Sequence, residues 1–109
     1  MKWEEAELKA RVLKALAHPV RLIVVELLKD GELSFSELKE RFPYDKSTIS
    51  KHLSILKEVG VISSRRQGMD MYYKLEIPCA LDFLECAAKV LEQSIERQCS
   101  CLWGAGGEK

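Results

Sequence analysis

A chain of 109 residues, 47% apolar and 31% charged, has room for one domain with a real hydrophobic core and little for a second. Its longest apolar run, Leu22-Ile23-Val24-Val25, falls far short of the roughly 18 residues of a membrane span, and Met1-Lys2-Trp3-Glu4-Glu5 lacks the apolar stretch of a secretion signal. A cytoplasmic protein with no membrane partner is expected, in which the four cysteines act as thiols, ligands or redox sensors and not as a disulfide framework. The net charge of zero divides unevenly: between Asp45 and Lys74 six cations stand against three anions, while the rest of the chain carries 11 against 14. A basic stretch of this kind keeps a nucleic-acid partner open despite the overall balance.

In chain order, Trp3, Ala6, Ala10, Leu13 and Ala17, with Leu8, Val12 and Leu16 beside them, predict a first helix with two adjacent apolar rows. His18-Pro19 stops it, because proline disfavours helical geometry in the residue before it. Pro19 suits the first turn of a second helix, whose row is Val20, Ile23, Val24, Leu27 and Leu28 and whose end is Gly31. Ser34-Phe35-Ser36-Glu37 has capping-box spacing and opens a short third helix, packed through Phe35, Leu38 and Phe42 and closed by Pro43. Asp45-Lys46-Ser47-Thr48 is rich in helix-start residues, and the helix that follows is expected to bury Ile49, Leu53 and Leu56, with Ile55 and Val59, before ending at Gly60.

The period then changes. Residues 61–66 and 71–75 read as the strands of a hairpin around a turn at Gln67-Gly68-Met69-Asp70. Pro78 begins a last helix running to about Gln98. Two short helices followed by a two-stranded wing predict a mainly α fold of the winged helix-turn-helix class over residues 1–98, with a cysteine-bearing tail at 99–109. The apolar faces of the first and last helices are wider than one packing partner needs, which predicts a homodimer through them.

The fourth helix carries the chemistry. Lys46, Ser47, Ser50, Lys51 and Ser54 fall largely opposite its apolar row. Small hydroxyls let a helix enter the major groove of double-stranded DNA and bond to base edges, while lysines neutralise phosphates. Arg65, Arg66 and Lys74 flank the hairpin turn and suit the adjacent backbone or minor groove. An enzyme is not expected: there is no carboxylate pair, no nucleophile–base arrangement and no phosphate-cradling loop, Gly104 to Gly107 belonging to the tail. A winged helix serving only as a protein-interaction module would not need this Ser/Lys face.

Leu16-Ala17-His18-Pro19-Val20-Arg21-Leu22, the run Ser47-Thr48-Ile49-Ser50-Lys51-His52-Leu53-Ser54-Ile55-Leu56, then Gly60-Val61-Ile62 and the wing from Arg65 to Leu75 together resemble the ArsR/SmtB family of bacterial and archaeal repressors. The resemblance spans about residues 10–75. It implies a homodimeric repressor that needs no cofactor to bind its operator and leaves it on binding a metal, a metalloid or an oxidant. Carried onto this chain, the family's DNA contacts fall on Ser47, Thr48, Ser50 and Lys51, with wing contacts from Arg65 through Arg66 to Gln67. His52 is expected to pack beside the reading helix and His18 to fix the junction at Pro19, neither as a metal ligand.

The family's sensor sites vary in place. Its Cys-x-Cys site on the third helix corresponds here to Ser34 and Ser36, and hydroxyls are poor ligands for soft ions. Its zinc site on the final helices needs histidine, and 78–98 has none. Cys79, Cys86, Cys99 and Cys101 remain. Cys99 and Cys101 are expected to bind As(III) or another thiophilic ion as inducer, with Cys79 of the partner as the third thiolate if the last helices pair antiparallel. A disulfide-forming redox couple of the same thiols is the alternative. Cys86 shares a row with Phe83 and Val90 and is expected in the core.

Overall fold

The computed structural model describes the backbone of residues 1–104 and the side chains of 1–93. The order of elements is α1 (Trp3–Leu16), α2 (Pro19–Leu27) with a 3₁₀ turn at Leu28–Asp30, β1 (Leu33–Ser34), α3 (Phe35–Glu40), α4 (Lys46–Glu58), β2 (Ile62–Gln67), β3 (Asp70–Leu75) and α5 (Cys79–Gly104). Each expected helix is present. Two compact units make up the chain, Met1–Pro78 and Cys79–Lys109.

In the first unit the apolar rows meet in one core. Val24, Val25, Leu38, Ile49, Leu56 and Val61 are wholly buried, with Leu28, Leu53 and Ile62 almost so. Burial of this kind is worth roughly 1.5–3 kcal/mol for each large aliphatic side chain, and it fixes which face of each helix turns outward. The α3 helix starts as its capping box requires: Ser34 Oγ accepts from the Glu37 N–H at 3.1 Å, and the Glu37 carboxylate accepts from the Ser34 N–H at 2.8 Å.

Three features differ from the sequence reading. The sheet has three strands, in the order β1-β3-β2, because Leu33 and Ser34 pair antiparallel with Tyr73 and Tyr72. The hairpin turn is also tighter. Gln67 pairs with Asp70, leaving Gly68 and Met69 as a two-residue loop, and Gly68 takes a φ of +66° that suits glycine. Finally, α5 runs to Gly104 and not to about Gln98, so the helical backbone carries through the positions of Cys99 and Cys101. The side chains of those two cysteines, and all of residues 105–109, lie outside the described residues.

Candidate nucleic-acid interface

The α4 helix is built to present one face. Asp45 caps it, its Oδ1 accepting from the Thr48 N–H at 2.9 Å. Thr48, through its side chain and its backbone N–H, holds the Asp45 carboxyl below the usual carboxylate range. The helix ends in a Schellman turn. Gly60, at φ +85°, donates to the Lys57 carbonyl, and Val61 donates to the Leu56 carbonyl at 3.0 Å. That turn delivers Val61 and Ile62 into the core and launches β2. Between the two caps, Ile49, Leu53 and Leu56 are buried, whereas Lys46, Ser47, Ser50, Lys51 and Ser54 are exposed. Ser47, Ser50, Lys51 and Ser54 stand at i, i+3, i+4 and i+7, a single stripe along the helix. Thr48 is half-buried and turned toward its cap.

Neighbouring helices fix the position of α4 through a cluster at its middle. His18 caps α2, its Nδ1 accepting from the Val20 N–H at 3.1 Å. Arg21 donates from Nε to the Ala15 carbonyl at the end of α1, and its Nη1 lies 3.0 Å from His52 Nδ1 on α4. Three helices therefore meet on one guanidinium. Burial, with the charges of His18, Arg21 and Lys51 nearby, pushes the His52 imidazole below its ordinary pKa. His18 sits at the junction where the sequence places it, whereas His52 is expected beside the reading helix and lies within it, half-buried next to the exposed stripe.

Arg65, Arg66, Gln67 and Lys74 are all exposed on the wing. Arg65 is also engaged. Its fork lies on the Glu32 carboxylate, with Nη2 2.7 Å from Oε1 and Nε 3.0 Å from Oε2. Its Nη1 donates to Gln67 Oε1 at 2.6 Å, and its guanidinium stands 5.0 Å from the centre of the Tyr72 ring. The guanidinium draws the Glu32 carboxyl below its usual range and is itself raised by it. Glu32 escaped the sequence reading because it stands 33 residues from its partner. An acidic residue beside a short strand carries no local signal of such a pair.

The cysteines divide. Cys79 and Cys86 are free and exposed. For Cys86 this corrects the expectation of a core residue: its row mates Phe83 and Val90 are 56% and 60% exposed. An apolar row shows which residues share a helix face, not whether that face is buried. Ser34 and Ser36 stand where the resemblance would put a thiolate pair; the buried Ser34 hydroxyl is committed to capping α3. Among the described residues no group of three or more His, Cys, Asp or Glu side chains is assembled to hold a metal ion. Nor is any helix there long and apolar enough to cross a membrane.

The family profile described as "Bacterial regulatory protein, arsR family" matches residues 18–64. Over 97 residues the chain is 34% identical to Rv0081 of Mycobacterium tuberculosis, an uncharacterized HTH-type transcriptional regulator, spanning 88% of this chain and 85% of that one. The chain belongs to the ArsR family. The crystal structure of Rv0081 superposes with a TM-score of 0.75 at 33% identity, over 89% of this chain and 98% of that one. SdpR, a transcriptional repressor of Bacillus subtilis, is 42% identical over 64 residues, 59% of this chain and 71% of its own. A crystal structure described as a possible transcriptional regulator for arsenical resistance shares 35% identity with a TM-score of 0.60, over 73% of this chain and 82% of that one. This ArsR-family chain is thus a DNA-binding transcriptional regulator of the winged-helix class and not an enzyme. The family match begins at His18, the cap of α2, and takes in Arg21, His52 and the whole of α4. It stops one residue before Arg65.

Proposed function

We propose that the protein is a homodimeric operator-binding repressor that reads DNA with the exposed stripe of α4, touches the flanking backbone with its wing, and is released when cysteine thiolates of α5 take up As(III) or another thiophilic ion. The stripe carries the reading: Ser47, Ser50, Lys51 and Ser54 are exposed along one line while the opposite side of the same helix is core. Hydroxyls that bond base edges are interleaved there with ammonium groups that neutralise phosphate, and the Asp45 cap orients the first turn. Dimerisation is supported by the apolar surface left on the terminal helices. Trp3, Leu8 and Leu13 of α1 and Phe83, Val90 and Leu91 of α5 are each at least half exposed in the single chain. A small domain seldom leaves that much apolar area to water.

The thiophilic inducer is supported by donor chemistry and by the structural neighbour described as a possible transcriptional regulator for arsenical resistance. Every cysteine of the chain lies in α5, beyond the DNA-reading elements. Residues two apart in an α-helix do not face one another, so Cys99 and Cys101 hold one ion only if the last turns open or if thiols of the partner subunit complete the set. The same exposure of Cys79 and Cys86 favours a second reading, in which an oxidant joins the thiols of two subunits as a disulfide and so releases DNA. A mobility shift on DNA from upstream of the protein's own gene tests the whole reading. Retarded DNA that arsenite frees supports the first reading. Release by peroxide alone, reversed by dithiothreitol, supports the second. Absence of a shift contradicts both.

A further inference from the structure

The two wing arginines do different work. Adjacent residues on a strand leave it on opposite faces, and Arg66, exposed opposite Met71, makes no ion pair among the described residues. Arg65 instead reaches across the sheet. It is paired in register with Tyr72 of β3, and Tyr72 is in turn paired with Ser34 of β1. Its guanidinium passes over the Tyr72 ring and closes on Glu32, the residue before β1. One side chain from β2 thus crosses β3 and ties down the approach to β1, a strand of two residues with β3 as its sole neighbour in the sheet. Immediately after β1 comes α3, the first helix of the helix-turn-helix. The N–H edge with which an arginine grips phosphate is the edge that Glu32 holds, and the remaining nitrogen is on Gln67.

We infer that Glu32 and Arg65 are positioning residues of the DNA interface: the pair sets the wing against the helix-turn-helix, and Arg66 makes the backbone contact. The inference rests on the reading of the wing as a DNA-binding element. It departs from a phosphate role for Arg65, in which the operator would have to pull the guanidinium off Glu32. The two accounts differ in sign. If phosphate displaces Glu32, that carboxylate is a competitor, and removing it tightens binding and steepens the salt dependence. If the pair is a brace, removing either partner loosens the wing, weakens binding and leaves the number of phosphate contacts unchanged.

The test is fluorescence anisotropy with the full chain and its own promoter duplex across a salt series, for Glu32→Gln, Arg65→Gln, their double variant and Arg66→Ala. Thermal unfolding of each variant runs alongside. The expected result is a loss of affinity of about two- to fivefold for Glu32→Gln, the range that one exposed ion pair supplies. Arg65→Gln loses a similar amount, the double variant is no worse than either single one, and all three keep the salt slope and melting temperature of the parent. Arg66→Ala loses affinity and lowers the salt slope by about 0.9, as one lost phosphate contact does. Unchanged or tighter binding by Glu32→Gln, or a slope lowered by Arg65→Gln while Arg66→Ala still behaves as a contact, overturns the inference and leaves the wing reading standing. An Arg66→Ala variant that binds like the parent overturns the wing reading and the inference with it.

Discussion

The imidazole rings of His18 and His52 lie 4.3 Å apart between centroids, inclined at 45°, joining the cap of α2 to the middle of α4. Each presents Nδ1 as an acceptor, His18 to the Val20 N–H and His52 to Arg21, a role that suits the neutral His52 imidazole. A proton on His52 Nδ1 would remove the acceptor and set a second cation against Arg21. A histidine whose pKa is lowered on folding is protonated more readily when unfolded. Its stability contribution is therefore complete above the unfolded value of 6.5 and is lost as pH falls below it. Stability against urea is expected to decline as pH falls below 6.5, with part of that slope absent in His52→Gln, whose side-chain oxygen can still accept from Arg21. Identical slopes in parent and variant would show that the imidazole is not the titrating group.

Asp45→Ala removes the cap of the reading helix while leaving its exposed stripe intact. Loss of a side-chain cap costs about 1 kcal/mol, within a range of about 0.5–2. The expected outcome is a lowered melting temperature together with weaker operator binding, since the first turn of α4 holds Lys46 and Ser47. Chemical denaturation and anisotropy on the same samples check both. Asp45→Asn, which retains the acceptor oxygen, is expected to keep most of the stability.

How far the sequence reaches can be seen in particular elements. Local chemistry announces the Ser34 capping box, a helix start within Asp45–Thr48, Pro19 in the first turn of α2 and the Gly60 stop, and each is present; that Asp45 is the cap comes from the structure. β1 was missed because two residues are too few to alternate. The wing turn was read as four residues because Gln67 and Asp70 are polar, although they complete the ladder. Arg65 looked like a free cation until folding brought Glu32 to it. The helical row of Cys86 points to the core, but helical spacing alone does not say whether a face is buried, and Cys86 is exposed. The exposed stripe of α4 was legible because it needs only helical spacing and the buried row opposite.

The proposed dimer would use the exposed apolar faces of the terminal helices. Light scattering or sedimentation at micromolar concentration is expected to return twice the chain mass of 12.4 kDa. Leu13→Asp together with Leu91→Asp, both at exposed positions of the single chain, should give a folded monomer with much weakened operator binding. A parent protein that sediments as a monomer contradicts this.

The proposed induction runs through thiols beyond the DNA-reading elements. Changing Cys99 and Cys101 to serine is expected to leave operator affinity close to the parent's while abolishing release by arsenite, because hydroxyls do not replace thiolates on a soft ion. Cys86→Ser is expected to spare the response. Cys79→Ser decides whether a third thiolate comes from the far end of α5, and its loss of response would place that thiolate there. A double Cys99/Cys101 variant released at the parent's arsenite concentration would put the sensor elsewhere.

The central claim, that the stripe of α4 reads an operator, is tested most directly by equilibrium binding to the promoter duplex and to a random duplex over a range of salt. The parent is expected to prefer the promoter. Ser50→Ala should lose roughly 1–3 kcal/mol on the promoter alone if its hydroxyl meets a base edge. Lys51→Ala should weaken both duplexes alike and lower the salt slope by about 0.9, as a phosphate contact requires. Equal affinity of the parent for the two duplexes, or parent-like binding by both variants, would contradict the account.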